Sequence, residues 1–383
     1  MINIKDPSDC CGCTACASIC AHDAISMKPD ALGFLYPEVD KDKCVDCGLC
    51  EKVCAFNAHY DTSLNLDKPL TYAARHKDVR EMETSRSGAA FIAISNYILE
   101  QGGVVYGAGY TDHFRVVHKR ATTKEGRDEF KGSKYVQSDM NTVFRQVKQD
   151  LRDGLTVLFS GTPCQTSGLN SYVGKRLRDN LYLVDIVCHA VPSPRLWADY
   201  LEYIEKKYQK TIVKTDFRDK IHGWYSPHME RFTFADGTSA TDFGHRLFFY
   251  MGLSTRHSCA ECKFCNMARP SDISIGDFWG IEKVAPEFNA DNKGVSLVIV
   301  NTVKGKKLLA SSKTELDLLE VQTSQAMQPN LIHPTLASPQ RLKFEEDYKT
   351  HGYRYVQIHY GNVGWRYRLK AFTNRVKNKL SRK

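Results

Sequence analysis

Cys10, Cys13, Cys16 and Cys20 are followed by Cys44, Cys47, Cys50 and Cys54, so the spacing C-x2-C-x2-C-x3-C is written twice. That spacing suits a pair of 4Fe–4S cubanes. Three thiolates at two-residue intervals on a tight loop reach three irons of one cubane. The fourth, three residues on at the start of a helix, reaches the other. The pattern assigns Cys10, Cys13, Cys16 and Cys54 to one cluster, and Cys44, Cys47, Cys50 and Cys20 to the second. Cys11 breaks the spacing and reads as a bystander. Ala21 and Ala55 stand where a proline often follows the fourth cysteine, which weakens the helix-entry signal but leaves the ligand set intact. Structural zinc would draw instead on two cysteine pairs set well apart. Two clusters in one module form an electron wire and bring no substrate pocket of their own.

The remaining cysteines lie far along the chain. Leu155–Phe159 reads as a buried strand that ends in Ser160-Gly161-Thr162-Pro163-Cys164. Leu181–Val187 is another, ending in Cys188-His189. In α/β sheets, ligands sit just beyond strand carboxyl ends. A third group, Cys259-x2-Cys262-x2-Cys265, precedes Arg269-Pro270-Ser271-Asp272. Together these thiols can supply another four-thiolate site. The spacing alone suits zinc as well as a cluster, and Cys164 and Cys188 also fit the role of small buried apolar residues.

The elements that must carry these residues follow from periodicity. Residues 61–70 read as a polar link, and beyond it strands and helices alternate. Gly88–Gln101 has Phe91, Ile94 and Ile98 at helical spacing and stops at Gly102-Gly103. Val104–Tyr106 is a strand, and Asn141–Leu151 a helix with Asn141 as its cap. Ser193-Pro194 opens a helix through Lys207, with proline at its first position. Val295–Asn301 and Lys306–Ser312 form a later strand–helix pair. The expected organisation is a two-cluster module over 1–60, an α/β body in two parts over 61–150 and 151–330, and a C-terminal extension over 331–383. The expected fold class is an α+β ferredoxin-like module followed by an α/β body with a parallel or mixed sheet.

Of the 14 cysteines, nine fall before residue 55, and the N-terminus lacks the basic-then-apolar layout of a signal peptide. Clustered thiols in a reduced compartment point to metal rather than disulfides, so the expected location is the cytoplasm. No apolar run reaches the ~18 residues of a membrane span. The net charge of +9 is almost wholly in the tail, where Arg366, Arg368, Lys370, Arg375, Lys377, Lys379, Arg382 and Lys383 occur with no acid. The body is near neutral, and no nucleic-acid partner is expected. Leu369, Phe372, Val376 and Leu380 give the tail an apolar stripe. It reads either as a basic helix lying at the inner membrane face or as a helix docked on the body with its charges in water.

Ser87-Gly88, Gly132–Ser138, Gly161–Gln165, Asp185–His189 and Asp272–Trp279 occur in that order. As a set they resemble the coenzyme F-420 hydrogenase/dehydrogenase beta-subunit family, and its bacterial members with an N-terminal two-cluster ferredoxin most of all, over roughly residues 1 to 330. The resemblance implies an iron–sulfur flavoprotein with FAD beside a core 4Fe–4S cluster. It matches Cys164, Cys188, Cys259 and Cys262 to the core cluster and leaves Cys265 as an extra. It sets Ser85, Ser87, Gly88, Lys134, Tyr135, Gly161, Thr162 and Gln165 near the flavin. Small residues there suit N–H groups approaching a pyrophosphate. Lys134 is the candidate to stabilise an anionic reduced flavin, and His189 the candidate proton donor. His189 also fits a structural or second-sphere role, and Asp277 is similarly open. The family's Ser-Gly-Gly is here Ser87-Gly88-Ala89. No Gly-x-Gly-x-x-Gly follows a strand, so no nicotinamide site is read. The segment Arg218–Trp224 reads as a solvated loop that can also meet substrate.

The function expected is an oxidoreductase. It passes electrons between a ferredoxin-like partner protein, its clusters and FAD, to an unassigned small molecule. Relatives of this kind are often encoded beside surface-polysaccharide biosynthesis genes, which the resemblance extends to this chain. The alternative is an electron-transfer subunit of a larger redox complex with no substrate of its own. A third reading, a metal-stabilised scaffold, predicts no flavin.

Overall fold

The computed structural model describes residues 1–56 and 60–364. Residues 1–56 hold α1 (Ala15–Ile19), β1 (Ile25–Pro29), β2 (Leu35–Val39) and α2 (Leu49–Lys52), with β1 and β2 paired antiparallel. The two cysteine loops have matching backbones. Gly12 and Thr14 in the first take φ of 70° and 68°, and the equivalent Asp46 and Gly48 in the second take 49° and 72°. Left-handed residues at alternate positions turn N–H groups into a concavity, an arrangement that iron–sulfur sites use.

The body continues with β3 (Asn65–His76), α3 (Val79–Thr84), α4 (Ala90–Glu100), β4 (Val104–Thr111), β5 (Arg115–Ala121) and α5 (Lys124–Asp128). Then come α6 (Val143–Arg152), β6 (Val157–Gly161), α7 (Pro163–Val173), β7 (Leu181–Ile186) and α8 (Pro194–Tyr208). A small antiparallel sheet, β8 (Ile212–Asp216), β9 (Glu230–Phe234) and β10 (Ser239–Asp242), precedes α9 (Gly244–Tyr250). The chain returns through β11 (Ile273–Asp277), β12 (Ser296–Thr302), α10 (Val303–Ser312), β13 (Leu316–Val321) and α11 (Arg341–His359).

The main sheet runs β13-β3-β12-β11-β7-β6-β4-β5. Its centre, β11, β7, β6 and β4, is parallel, and its flanks are antiparallel. The body is therefore α/β with a mixed sheet. Successive strand residues face opposite sides. Val157, Phe159, Leu181 and Leu183 pack under α6 and α7, while Leu158 and Val184 pack under α4 and α10. Burial on both faces explains why these strands read as continuous apolar runs.

Ser193 caps α8 as expected, its Oγ accepting from Leu196 N at 3.0 Å. Two sequence readings are corrected. The supposed polar link is strand from Asn65 onward, because Asn65 pairs with Thr302 and Leu70 with Val300 of β12, across a register shift. Long-range pairing supplies what local periodicity lacks. Asn141 is not the cap of α6; it sits at φ 41° in the preceding turn, its N–H donated to Asp139 Oδ1 at 2.9 Å. The tail helix read over 369–383 lies outside the described residues. Among the described residues, no helix is long and apolar enough to cross a membrane.

Candidate cofactor sites and cavity

Cys20, Cys44, Cys47 and Cys50 line one small cavity. This is the set that spacing assigned to one cluster. Backbone N–H groups already point at the sulfurs: Ile2 N donates to Cys50 Sγ at 3.2 Å, and Ala24 N to Cys20 Sγ at 3.4 Å. Cys16 lies near Cys10 and Cys54; burial, then those two neighbours, pushes its thiol up to about 12. Gly12 N donates to Cys10 Sγ at 3.4 Å. Cys13 turns toward α7, where Gly168 leaves room for it. Among the described residues, no three His, Cys, Asp or Glu side chains converge as a single ion would need. A cubane asks instead for one thiolate at each of four irons.

In the body, Cys164 opens α7, Cys188 follows β7, and Cys259 and Cys262 lie on the loop before β11. The four thiols act on one another. Burial and then Cys259, Cys164 and Cys262 hold Cys188 well above its ordinary range, and burial holds Cys259 up at about 12. Cys262 and Cys265 share a hydrogen bond that favours the Cys262 thiolate, so Cys265 belongs to the same group. Cys11, read as a bystander, is buried against Cys164 and Cys13 through sulfur hydrogen bonds. Buried thiols that repel one another need a cation to ionise together, and a metal centre provides one.

The N-terminal module is fastened to the body. Arg256 donates to Cys10 O at 2.7 Å, Leu35 O at 2.9 Å and Gln137 Oε1 at 3.0 Å, while Gln137 Nε2 donates to Cys11 O at 2.9 Å. Arg145 donates to the carbonyls of Ala17, Ser18 and Cys20 at the end of α1. Cys11, Cys13, Val53 and Phe56 share one apolar core with α6, α7 and Phe264.

A cavity of about 260 Å³ opens beyond the carboxyl ends of β6, β7 and β11. It is lined by Ser85, Ser87, Lys134, Tyr135, Gly161, Thr162, Gln165 and His189 from the sequence-expected set, and by Cys188 of the thiol group. Gly88 is not on its wall. A Cβ there would stand 2.1 Å from Ala74 O and 2.7 Å from Ser296 N, so Gly88 lets the turn lie against the sheet. Gly88→Ala is expected to lower stability by about 3 kcal/mol, because neither backbone neighbour can yield. An unchanged denaturation midpoint would count against this packing. Ala89 takes φ 59°, a conformation that costs a non-glycine residue about 1–2 kcal/mol. The departure from Ser-Gly-Gly thus stores strain at the cavity wall.

Lys134 lines the cavity, but its ammonium donates to Glu129 O at 2.7 Å and Lys131 O at 2.9 Å; burial lowers its pKa to about 7. His189 packs on Phe249 and Tyr250, and burial lowers its pKa. Sequence reasoning missed His118, which also lines the cavity. Gln165 Nε2 donates to Ser138 Oγ at 2.9 Å, and Ser138 pairs with His118 Nδ1 at 2.8 Å. His118 Nε2 meets Ser160 O at 3.0 Å, so Nε2 carries the proton and Nδ1 accepts. Burial holds His118 near 4, hence neutral.

The Arg218–Trp224 segment is solvated only at Ile221 and His222, while Arg218 and Trp224 are buried. Arg218 donates to Asp277 Oδ2 at 2.6 Å, and Trp224 Nε1 to Asp277 Oδ1 at 2.8 Å. Lys220 donates to the carbonyls of Met82, Ser87 and Lys293. This loop clamps the α3–α4 turn beside the cavity.

Two thiol groups in one small module and a third group against an α/β cavity define an iron–sulfur protein of the electron-transfer class. Residues 9–58 match the 4Fe-4S dicluster domain, and residues 154–325 match the family described as the C terminus of the coenzyme F420 hydrogenase/dehydrogenase beta subunit. Residues 154–325 thus carry the C-terminal region of that beta-subunit family, with a dicluster domain ahead of it. Among solved structures, a chain from the F420-reducing NiFe hydrogenase complex of Methanosarcina barkeri, derivatized with xenon, is similar at 16% identity and a TM-score of 0.47. The match covers 78% of this chain and 93% of that one. No curated protein matches the chain.

Proposed function

We propose that this chain is an iron–sulfur flavoprotein oxidoreductase linking a one-electron partner protein to a two-electron small-molecule reaction. One observation carries the reading: Cys188 belongs to the body's thiol group and also lines the cavity. A ligand in the cavity is therefore next to the metal-binding thiols, with no intervening element.

Cys10, Cys13, Cys16 and Cys54 would hold one cluster of the dicluster domain, and Cys20, Cys44, Cys47 and Cys50 the other. Cys164, Cys188, Cys259 and Cys262 would hold a third in the body. FAD in the cavity would supply the conversion between single electrons and a hydride equivalent. Ser85, Ser87, Tyr135, Gly161, Thr162 and Gln165 would surround it. Lys134 would donate to it only by giving up a carbonyl. The Ser160 carbonyl fixes the tautomer of His118, with Ser138 donating to its Nδ1, so the ring on the cavity wall is neutral. His189 is our candidate for proton delivery to substrate. The pathway we assign, surface-polysaccharide biosynthesis, rests on the family resemblance alone. The tail's basic, apolar-striped sequence supports either peripheral membrane contact or a helix docked on the body.

The test is anaerobic purification with flavin and iron quantified on denaturation. We expect about one FAD and about twelve irons per chain. Intact clusters with no flavin, after incubation with excess FAD, would remove the catalytic reading. The matched family is itself a subunit family, which favours the electron-transfer-subunit reading as the alternative.

A further inference from the structure

The cavity holds a cation that lacks an acceptor. Lys131, on its wall, is paired with Glu81 at 2.6 Å and Asp128 at 2.9 Å, and Lys134 with two carbonyls. Arg86, also on the wall, has a side chain only 13% exposed. Its nearest carboxylate, Asp216, stands 3.6 Å away, beyond hydrogen-bond length, and its guanidinium makes no hydrogen bond to any described residue. Arg218 adds positive potential beside it, which Asp216 and Asp277 offset in part. A half-buried guanidinium whose donors are not taken up by the protein is free to donate to a group bound in the cavity.

The same turn offers a second idle group. Ser85 is 8% exposed, lines the cavity, and its Oγ has no partner. The backbone that presents both residues is rigid. Ser87 Oγ donates to Val295 O at 2.5 Å, Gly88 N to Ser296 Oγ at 3.0 Å, and Lys220 grips Ser87 O at 2.6 Å. A planar guanidinium held in place is suited to bidentate capture of a phosphate or carboxylate.

We propose that Arg86 and Ser85 form an oxyanion subsite in the cavity, which takes the phosphate or carboxylate group of the bound small molecule. The proposal rests on the reading of this cavity as the flavin and substrate site. Two sources share the chemistry: the pyrophosphate of FAD, and an acidic group on the substrate.

The test uses the full cluster-loaded chain as wild type, Arg86→Gln, Arg86→Lys and Ser85→Ala. Inorganic pyrophosphate is titrated by calorimetry, with and without flavin present, and FAD and riboflavin affinities are compared. Pyrophosphate is expected to bind wild type, about 10- to 100-fold more weakly Arg86→Gln, and with partial recovery in Arg86→Lys. Ser85→Ala is expected to give a smaller loss. If Arg86→Gln also weakens FAD while riboflavin affinity holds, the oxyanion is the flavin's. If both flavins bind Arg86→Gln as they bind wild type, it is the substrate's. Either result supports the subsite. Equal pyrophosphate binding by wild type and Arg86→Gln, no binding by wild type, or equal loss of FAD and riboflavin would overturn it. Wild type that binds pyrophosphate but no flavin would leave the subsite standing and sink the flavoprotein reading.

Discussion

Arg269→Met is expected to destabilise the chain by about 3–5 kcal/mol and to cost the cluster proposed for the body's thiols, because it strands a buried charge. Arg269 and Asp185 are both fully buried and joined at 2.9 Å. The same guanidinium donates to Phe264 O at 2.7 Å, Ile186 O at 3.0 Å and Ser274 Oγ at 3.0 Å. Phe264 lies between Cys262 and Cys265, and Ile186 ends the strand that delivers Cys188. One side chain therefore sets the separation of the cysteine loop and the β7 end. Anaerobic denaturant unfolding should show a large drop in midpoint, and iron should fall by about four atoms per chain. Replacing both partners, as Asp185→Leu with Arg269→Met, should recover much of the stability, because no lone charge remains. It should not recover the iron, since the loop is still untied. Full iron in the single variant would show that the cysteine loop holds its place unaided.

The contrast between Arg269 and the N-terminal cysteines shows what a sequence can disclose. The doubled cysteine spacing is local, so eight candidate ligands are legible from order alone, and one set of four lines a common cavity. Strands β6 and β7 are legible because burial on both faces makes them unbroken apolar runs. Arg269 reads only as part of a motif, since its partner Asp185 is 84 residues away. Arg86 is silent for a different reason. What marks it is that no acceptor among the described residues stands at hydrogen-bond length from it, and only packing reveals that. The polar start of β3 reads as a link because its partner, β12, lies more than two hundred residues further on. Cys11 looks idle because it breaks a pattern, yet its contact is with Cys164 in the body.

Gly168→Ala is expected to cost the cluster assigned to Cys10, Cys13, Cys16 and Cys54, although alanine is the better helix former by roughly 1 kcal/mol. The sign reverses because a Cβ at Gly168 would stand 2.6 Å from Cys13 Sγ and 3.0 Å from Cys13 Cβ. Helix α7 cannot retreat, since Leu169, Tyr172 and Val173 hold it in the core. Cys13 must therefore move, and a ligand displaced from a preformed site loses its metal. The expected reading is about four irons fewer per chain, with the clusters held elsewhere unchanged in their spectra. Gly126→Ala, where the nearest atom to the new Cβ is at 3.5 Å, is the control that should leave iron untouched. Full iron in Gly168→Ala would show that the cysteine loop has slack. The position of the glycine gives the result its meaning. Cys164 and Gly168 are four residues apart, so they lie on one face of α7. Cys11 meets the first and Cys13 the second. One helix face thus carries the body's thiol group at its start and the module's cysteine loop one turn later. That contact brings the two thiol groups together along α7.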